Sequence, residues 1–242
     1  MKILPLIPLG LIMTFTVRAE EVLYIGDSHS HIRAQFPEES AKRFGNIFIE
    51  EMTARGVRVS YYAACGSAPI GWVKGATTTC GYTSVNEEKF VSLTQSAFPS
   101  VQTIYFPQKH SKIIINLGDN MFDWKIQSGK RVADLPAGTV ERGVKSFLAT
   151  LPHIDESNCA WIGPTYHIEG TNYKKSDAMV DEFYSQLATA LQDKCLVIDS
   201  RSMVDVKIPN DGLHHVNSDS QAWAKGVIES LFPSGPFLST QR

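Results

Sequence analysis

The sequence lacks several features that define common functional classes. It has no block of like charge, and its net charge of −2 with a pI near 6.4 gives no electrostatic basis for binding nucleic acid or an anionic membrane. It has no C-x-x-C pair, so a zinc site is not indicated by its four cysteines. Its 242 residues, 43% of them hydrophobic, are enough for one sizeable core.

The only long apolar run lies at the amino terminus. Lys2 supplies a positive charge, residues 3–16 are apolar, and small or modest residues precede a cleavage position after Ala19. A run of this length that contains two prolines is short for a membrane span, and no cysteine follows to carry a lipid. We therefore predict a signal peptide over 1–19 and one soluble, exported domain over 20–242 without a stable membrane anchor.

Export makes the four cysteines candidates for disulfides. Cys65 and Cys80 bracket a short loop rich in Gly and Thr, whereas Cys159 and Cys195 each begin a predicted strand. Neighbouring parallel strands would bring the second pair together. Of the three possible pairings, we therefore favour Cys65–Cys80 with Cys159–Cys195.

Apolar runs that alternate with helical patterns indicate an α/β fold. The predicted strands cover residues 22–25, 57–64, 112–117, 159–163 and 195–199, and the predicted helices cover 37–54, 139–151, 176–191 and 218–231. This alternation predicts a flavodoxin-like three-layer sandwich, with a five-stranded parallel sheet of order 2-1-3-4-5 and helices on both faces.

Four long connections are predicted between these elements, one of them a loop over residues 200–216. Residues 67–110 are expected to be irregular apart from one helix over 86–96, and 121–136 and 164–175 are expected to be polar loops. Connections of such length in a compact domain are often functional.

The first predicted strand runs into Gly26, Asp27 and Ser28. A simple polar turn would explain these three residues alone, because all are ordinary turn formers. However, a late loop supplies Asp211 and His214. A serine nucleophile needs a base, which His214 can be, and Asp211 can hold the imidazole in the required tautomer.

Two further residues near this set have weaker interpretations. His215 is the alternative base, but only His214 has an aspartate three residues earlier, so His215 is expected to line the site. Asp27 is expected to cap backbone N–H groups rather than to act as a base.

The oxyanion of an acyl transfer needs preorganised donors at the same sheet edge. The backbone N–H groups of Ser28 and Gly66 and the side-chain amide of Asn120 follow the first, second and third predicted strands. The carboxyl ends of parallel strands meet at one edge, so these three donors can converge on one oxygen. The G-x-S-x-G motif of elbow-type α/β hydrolases is absent.

In these residues the chain resembles the SGNH/GDSL hydrolase family. Gly26-Asp27-Ser28 resembles the first block with its nucleophile, and Gly118-Asp119-Asn120 resembles the G-x-N of the third. Gly66 resembles the second-block glycine, and Asp211-Gly212-Leu213-His214 resembles the D-x-x-H of the last block. Four such blocks in this order span most of the chain after residue 20.

The sequence departs from the family pattern at three places. His29 follows the serine where leucine is expected, as in versions on carbohydrate-directed esterases and on domains attached to acyltransferases. Met121 stands where the family has aspartate after the third-block asparagine. Gly71 could take the role assigned to Gly66.

The resemblance implies an exported serine esterase that needs no metal or organic cofactor. Its expected substrate is a small acyl ester, such as an O-acetyl group, on a cell-wall or extracellular polysaccharide. A lipase or lysophospholipase, or an acyltransferase with the same triad, is the alternative. The oligomeric state is left open by the sequence.

Two other classes are compatible with parts of the sequence. A metallophosphoesterase-like site would use carboxylates and imidazoles from three segments, namely Asp27, His29, Asp119, His214 and His215. A non-catalytic carbohydrate binder would stack sugars on exposed aromatics, namely Trp72, Tyr82, Trp124 and Tyr166. We expect instead that His29 and His31 lie on the rim of the site and that Trp161 lies in the core.

Overall fold

The computed structural model describes most of the chain beyond residue 20. The described residues are 21–32, 43–78, 80–86, 89–93, 96–166, 168–169, 173–204, 214–215 and 218–232. The predicted signal peptide lies outside them. Within these ranges no helix combines the length and the apolar character that crossing a bilayer requires.

The described residues form thirteen strands and five α-helices. In chain order they are β1 (Glu21–Gly26), α1 (Phe44–Ala54), β2 (Arg58–Ala64), α2 (Pro69–Lys74), β3 (Ala76–Thr78), β4 (Tyr82–Asn86), β5 (Lys89–Leu93), β6 (Ser96–Phe98), β7 (Lys112–Asn116), β8 (Asp123–Gln127), β9 (Lys130–Asp134), α3 (Thr139–Leu148), β10 (Cys159–Ile162), β11 (Ile168–Glu169), β12 (Tyr173–Lys175), α4 (Asp177–Leu191), β13 (Leu196–Ile198) and α5 (Ser218–Leu231).

The main sheet has the order β13-β10-β7-β1-β2-β4-β5. Strands β2, β1, β7, β10 and β13 are parallel neighbours, which confirms the predicted order 2-1-3-4-5. The sheet has seven strands rather than five, because β4 and β5 add an antiparallel pair at the β2 edge.

Helices cover both faces of this sheet, as the alternation of apolar runs predicts. Side chains of β1 alternate between two cores: Val22 and Tyr24 belong to one, and Leu23 and Ile25 to the other. Helices α1 and α5 pack together in the first core, and α3 and α4 in the second. The sheet therefore lies between two helical layers, with β1 at its centre.

The helix predicted over 86–96 is wrong. This region contains the end of β4, then β5 and the start of β6, and β4 pairs antiparallel with β2, Tyr62 opposite Ser84. Tyr82, Thr83 and Val85 have high strand propensity. Pairing with the edge of β2, some 20 residues earlier in the sequence, determines the structure there.

The loops predicted over 121–136 and 164–175 also contain strands. A two-residue turn at Ser128 and Gly129, both with positive φ, joins β8 to β9. Strand β12 pairs parallel with β9, and β11 pairs antiparallel with β12. We call these four strands the accessory sheet. Its strands are short and largely polar, so partners distant in sequence define them.

The helix predicted over residues 37–54 can be compared with the structure only from residue 43 onward. Residues 37–42 lie outside the described residues, and α1 begins at Phe44, after Arg43 in an extended conformation.

Both predicted disulfides are present. Cys65–Cys80 closes the segment that follows β2, and Cys159–Cys195 joins the beginnings of the neighbouring strands β10 and β13. The two bridges account for all four cysteines.

Candidate active site

Three predicted site segments lie at one edge of the main sheet. Strands β1, β2 and β7 are parallel, so the segments with Ser28, Gly66 and Asn120 leave the sheet at the same edge. The Ser67 hydroxyl donates to the Gly26 carbonyl at 3.4 Å, and Trp72 Nε1 donates to Ser67 Oγ at 3.0 Å. These contacts hold the segment after β2 against the end of β1.

A network of buried hydroxyl and amide groups fixes the turn after β1. The Ser30 hydroxyl lies 2.7 Å from Tyr24 Oη and accepts from Asn116 Nδ2 at 3.3 Å, and Tyr61 Oη donates to the Ser30 carbonyl. A Cβ on Gly26 would lie 2.3 Å from Ser30 Oγ, so only glycine fits at that position. The turn is therefore rigid on both sides of Ser28.

Ser28 differs from its neighbours in this turn. It is 6% exposed, and no hydrogen bond joins its hydroxyl to any described residue. Asp27 accepts the backbone N–H of His29 at 3.0 Å and that of Gly118, which agrees with its predicted capping role. Burial raises the pKa of Asp27 to about 6. The turn engages its other polar groups, whereas the Ser28 hydroxyl has no hydrogen-bond partner among the described residues.

His29 and His31 are buried rather than on the rim, so that expectation is wrong. They are 4% and 3% exposed. His29 Nε2 lies 3.0 Å from Asp119 Oδ2, and Lys175 Nζ donates to Asp119 Oδ1 at 2.5 Å. The Asp119 carboxylate offsets the free-energy cost of removing the His29 ring from water, so this histidine can be buried.

The charges of this cluster reinforce one another. Burial opposes protonation of His29, but Asp119 outweighs it and raises the pKa of His29. Burial opposes ionisation of Asp119, but Lys175 and His29 hold its pKa well below the usual range. Lys175 is fully buried and was not identified from the sequence, where nothing distinguishes it from its neighbour Lys174.

The two adjacent histidines occupy different environments. The His214 ring lies 4.9 Å from the His29 ring, centroid to centroid, and so lies next to the serine turn. His215 is buried, and its Nε2 lies 3.0 Å from Thr165 Oγ1. Burial, aided by His29, lowers the pKa of His215 to about 3, so His215 is a poor base. Asp211 lies outside the described residues.

Asn120 has the features of an unused donor. It belongs to a 3-10 turn, Asp119–Met121, directly after β7. Its Nδ2 is buried and has no hydrogen-bond partner among the described residues. A buried amide without a partner costs free energy, which a substrate oxygen would recover.

Gly66 and Gly71, the two candidates for the second donor, differ in their backbone environment. Gly66 lies two residues after the end of β2, with φ +76°, a conformation that favours glycine. Gly71 lies within α2, and its N–H already donates to the Ala68 carbonyl at 2.9 Å. The Gly71 N–H is thus already engaged, which favours Gly66 as the second donor.

The side chains named for a metallophosphoesterase-like site contact protein groups instead of forming a metal-binding cluster among the described residues. Across the described parts of the chain, no cluster of three or more His, Cys, Asp or Glu side chains is arranged to hold a metal ion. Asp119 is paired with Lys175 and His29, and His215 faces Thr165.

Of the four aromatics of the carbohydrate-binder hypothesis, two are buried and two, Trp124 and Tyr166, are partly exposed. Trp72 and Tyr82 are buried, and Trp161 lies in the core as expected. Trp124 is half-buried on the accessory sheet, edge-on to Tyr173 at 5.4 Å between centroids, and its Nε1 donates to the Asp119 carbonyl at 3.3 Å. Trp124 is thus directly connected to the turn that carries Asn120.

Comparison with known proteins places this geometry in context. No protein-family model matches the chain. Protein BcsX of Komagataeibacter xylinus is 22% identical over 222 residues, which cover 88% of this chain and 76% of that protein.

Three solved structures share the architecture. A lipase/acylhydrolase from Enterococcus faecalis has a TM-score of 0.54 and 11% identity, covering 88% of this chain and 95% of its own. A carbohydrate acetylesterase family member from Sinorhizobium meliloti has a TM-score of 0.52 and 17% identity, with 87% and 98% covered. An alpha/beta hydrolase enzyme from the metagenome of Lake Arreo, Spain, has a TM-score of 0.53 and 14% identity, with 88% and 96% covered.

These matches extend over nearly the full length of each solved chain. They show that the chain shares the α/β fold of these proteins, with the parallel sheet that brings Ser28, Gly66 and Asn120 to one edge.

Proposed function

We propose that the protein is a serine esterase in which Ser28 is the nucleophile, His214 the base and Asp211 the residue that orients the imidazole. The observation that carries this proposal is the turn after β1. Its backbone and flanking side chains are held by hydrogen bonds, whereas its serine hydroxyl bonds to no described residue, and the His214 ring lies against the adjacent His29. A rigid turn presents the hydroxyl without a reorganisation cost at the reaction step.

The proposed reaction proceeds through an acyl-enzyme. Ser28 Oγ attacks the ester carbonyl carbon while its proton passes to His214, and the tetrahedral intermediate collapses as the alcohol leaves with that proton. Water then attacks the acyl-enzyme, again losing a proton to His214, and Ser28 departs with it as the acid is released. The Ser28 and Gly66 backbone N–H groups and the Asn120 amide would stabilise both oxyanions.

The proposed substrate is a small acyl ester, such as O-acetyl, on an extracellular or cell-wall polysaccharide. Trp124 supports a sugar substrate, because it is half-exposed and is joined to the main chain of the Asn120 turn. An indole face can stack on a sugar ring. The fold shared with a carbohydrate acetylesterase family member agrees with this substrate class.

Acyl transfer to a sugar hydroxyl differs only in the acceptor that attacks the acyl-enzyme, and a lipase or lysophospholipase differs in the acyl chain. The predicted signal peptide over 1–19 and the two disulfides support export.

The deciding experiment is hydrolysis of 4-nitrophenyl acetate by the purified protein beside Ser28→Ala, each with and without a metal chelator. We expect chelator-resistant activity that is lost in Ser28→Ala. Chelator-sensitive activity that survives the substitution would eliminate the triad and support the metal hypothesis. Release of acetate from acetylated polysaccharides, compared with long-chain esters, would then separate the substrate classes.

A further inference from the structure

Three ionisable side chains from distant segments meet in the interior beside the proposed base. His29 comes from the turn after β1, Asp119 from the turn after β7, and Lys175 from β12 of the accessory sheet. They are 4%, 5% and 0% exposed, and Asp119 contacts both cations, at 3.0 Å from His29 Nε2 and 2.5 Å from Lys175 Nζ. We call these three residues the buried charge cluster.

One carboxylate faces two basic groups in this cluster. Lys175 and Asp119 neutralise each other, so a protonated His29 leaves the cluster with one net positive charge. Contact with Asp119 raises the pKa of His29 in spite of its burial, which favours that protonated form. Asp27 is not a member of the cluster, but its charge also raises the pKa of His29.

This positive charge lies close to two further imidazoles. The His29 ring is 4.9 Å from the His214 ring and 6.3 Å from the His215 ring. His29 and Lys175 both act, after burial, to lower the pKa of His215, so their combined field extends to this histidine pair. Among the described residues, the charged groups that act on His215 are His29, Lys175 and Asp119, and from α5 Asp219 places its Oδ2 4.0 Å from His215 Nδ1. Asp27 acts on His29, and Asp211, the proposed partner of His214, lies outside the described residues.

We propose that the buried charge cluster holds a protonated His29 against His214 and thereby keeps His214 neutral, and able to accept the Ser28 proton, in mildly acidic solution. This inference rests on the proposed role of His214 as the base. His29 is then a positioning residue that acts through His214 and forms no bond with the substrate.

The physical basis is repulsion between like charges. A second imidazolium at this separation disfavours protonation of His214, and a site with little water screens the repulsion weakly. A neutral base is the active form for proton abstraction. Removing the charge of His29 should therefore move the acidic limb of the activity profile to higher pH.

The test compares pH profiles of kcat/KM for 4-nitrophenyl acetate in four proteins: the wild type, His29→Gln, Asp119→Asn with Lys175→Met, and Lys174→Met. His29→Gln removes the imidazolium and leaves the Lys175–Asp119 pair intact. The double variant removes both members of that pair, so no unpaired buried charge remains.

We expect the midpoint of the acidic limb to shift to higher pH by about one unit in His29→Gln and in the double variant. Lys174→Met removes a neighbouring exposed lysine from the same strand and should leave the limb in place. Limbs in both test variants within 0.2 unit of the wild type, taken as about the resolution of such profiles, would overturn the inference.

A second readout separates this inference from the proposed function. In ¹⁵N spectra of the histidine rings we expect one imidazolium signal to persist above the ordinary histidine pKa of about 6.5 and to be lost in His29→Gln. Its absence from the wild-type spectrum would overturn the inference even if activity depends on Ser28. Activity that survives Ser28→Ala would instead refute the proposed esterase mechanism.

Discussion

At the scale of single residues, the proposed role of Asn120 as an oxyanion donor gives the most specific prediction. Its amide nitrogen is buried without a partner among the described residues, at the edge where Ser28 and Gly66 also lie. We expect Asn120→Ala to lower kcat on 4-nitrophenyl acetate by about 10²–10³-fold, because one oxyanion donor contributes about 3–4 kcal/mol to the barrier.

The KM should change little in Asn120→Ala, and the thermal midpoint should hold or rise, because the substitution removes an unsatisfied polar group. A kcat within about twofold of the wild type would show that this amide does not contact the oxyanion.

At the scale of elements, the two disulfides should respond differently to reductant. Cys80 is exposed and Cys65 half-buried, whereas Cys159 and Cys195 are buried. Mild dithiothreitol should therefore reduce Cys65–Cys80 first, loosen the segment with Gly66 and lower activity while the protein stays folded. Alkylation and peptide mapping, with circular dichroism in parallel, check the order. Equal alkylation of all four cysteines in folded protein would contradict it.

The accessory sheet should affect polymer binding rather than bond cleavage. Trp124→Ala should raise KM for an acetylated polysaccharide about 10-fold, consistent with roughly 1.4 kcal/mol of lost stacking, and leave kcat/KM for 4-nitrophenyl acetate within about twofold. Ile126→Ala is the matched control, since Ile126 lies on the same strand and is 78% exposed. Equal losses on both substrates would indicate that Trp124 supports the Asn120 turn instead.

Elements also show where sequence-based prediction succeeds. The five parallel strands and their order follow from apolar runs such as that in β7, which must be buried on both faces. The antiparallel strands β4 and β5 were missed because pairing with the edge of β2 defines them, and the accessory sheet was missed because its short polar strands pair with partners far along the chain.

At the scale of the whole molecule, buried titratable groups give stability an acid-sensitive profile. His215 has its pKa lowered to about 3 and His110 to about 4, in both cases chiefly by burial, so the unfolded chain binds more protons than the folded one below pH 6.5. Asp27 opposes this, because its pKa is raised to about 6 and the folded state binds its proton more tightly between pH 4 and 6.

The two histidines together outweigh one carboxyl, so the free energy of unfolding should rise by about 1–3 kcal/mol from pH 4 to pH 6.5. Urea titrations at several pH values measure it. His215→Gln should flatten the rise, since it removes one of the two groups that cause it. A profile that falls over this interval would contradict the assignment of buried neutral histidines.

The site as a whole was predictable only in part. The residues that follow strand ends, Ser28, Gly66 and Asn120, could be assigned to one sheet edge because parallel topology requires it. The burial of His29 and the participation of Lys175 could not, because each depends on a contact with Asp119 across more than 50 residues of chain. Charges buried in pairs carry no local sequence signal.

The different burial of Lys174 and Lys175 allows opening of the accessory sheet to be measured by amine labelling. Adjacent lysines on β12 point to opposite sides, one exposed and one fully buried. An amine-reactive probe should label Lys174 at the rate of an exposed lysine. Lys175 should react only when the strand separates from Asp119. The ratio of the two labelling rates then reports how often the sheet opens in native protein.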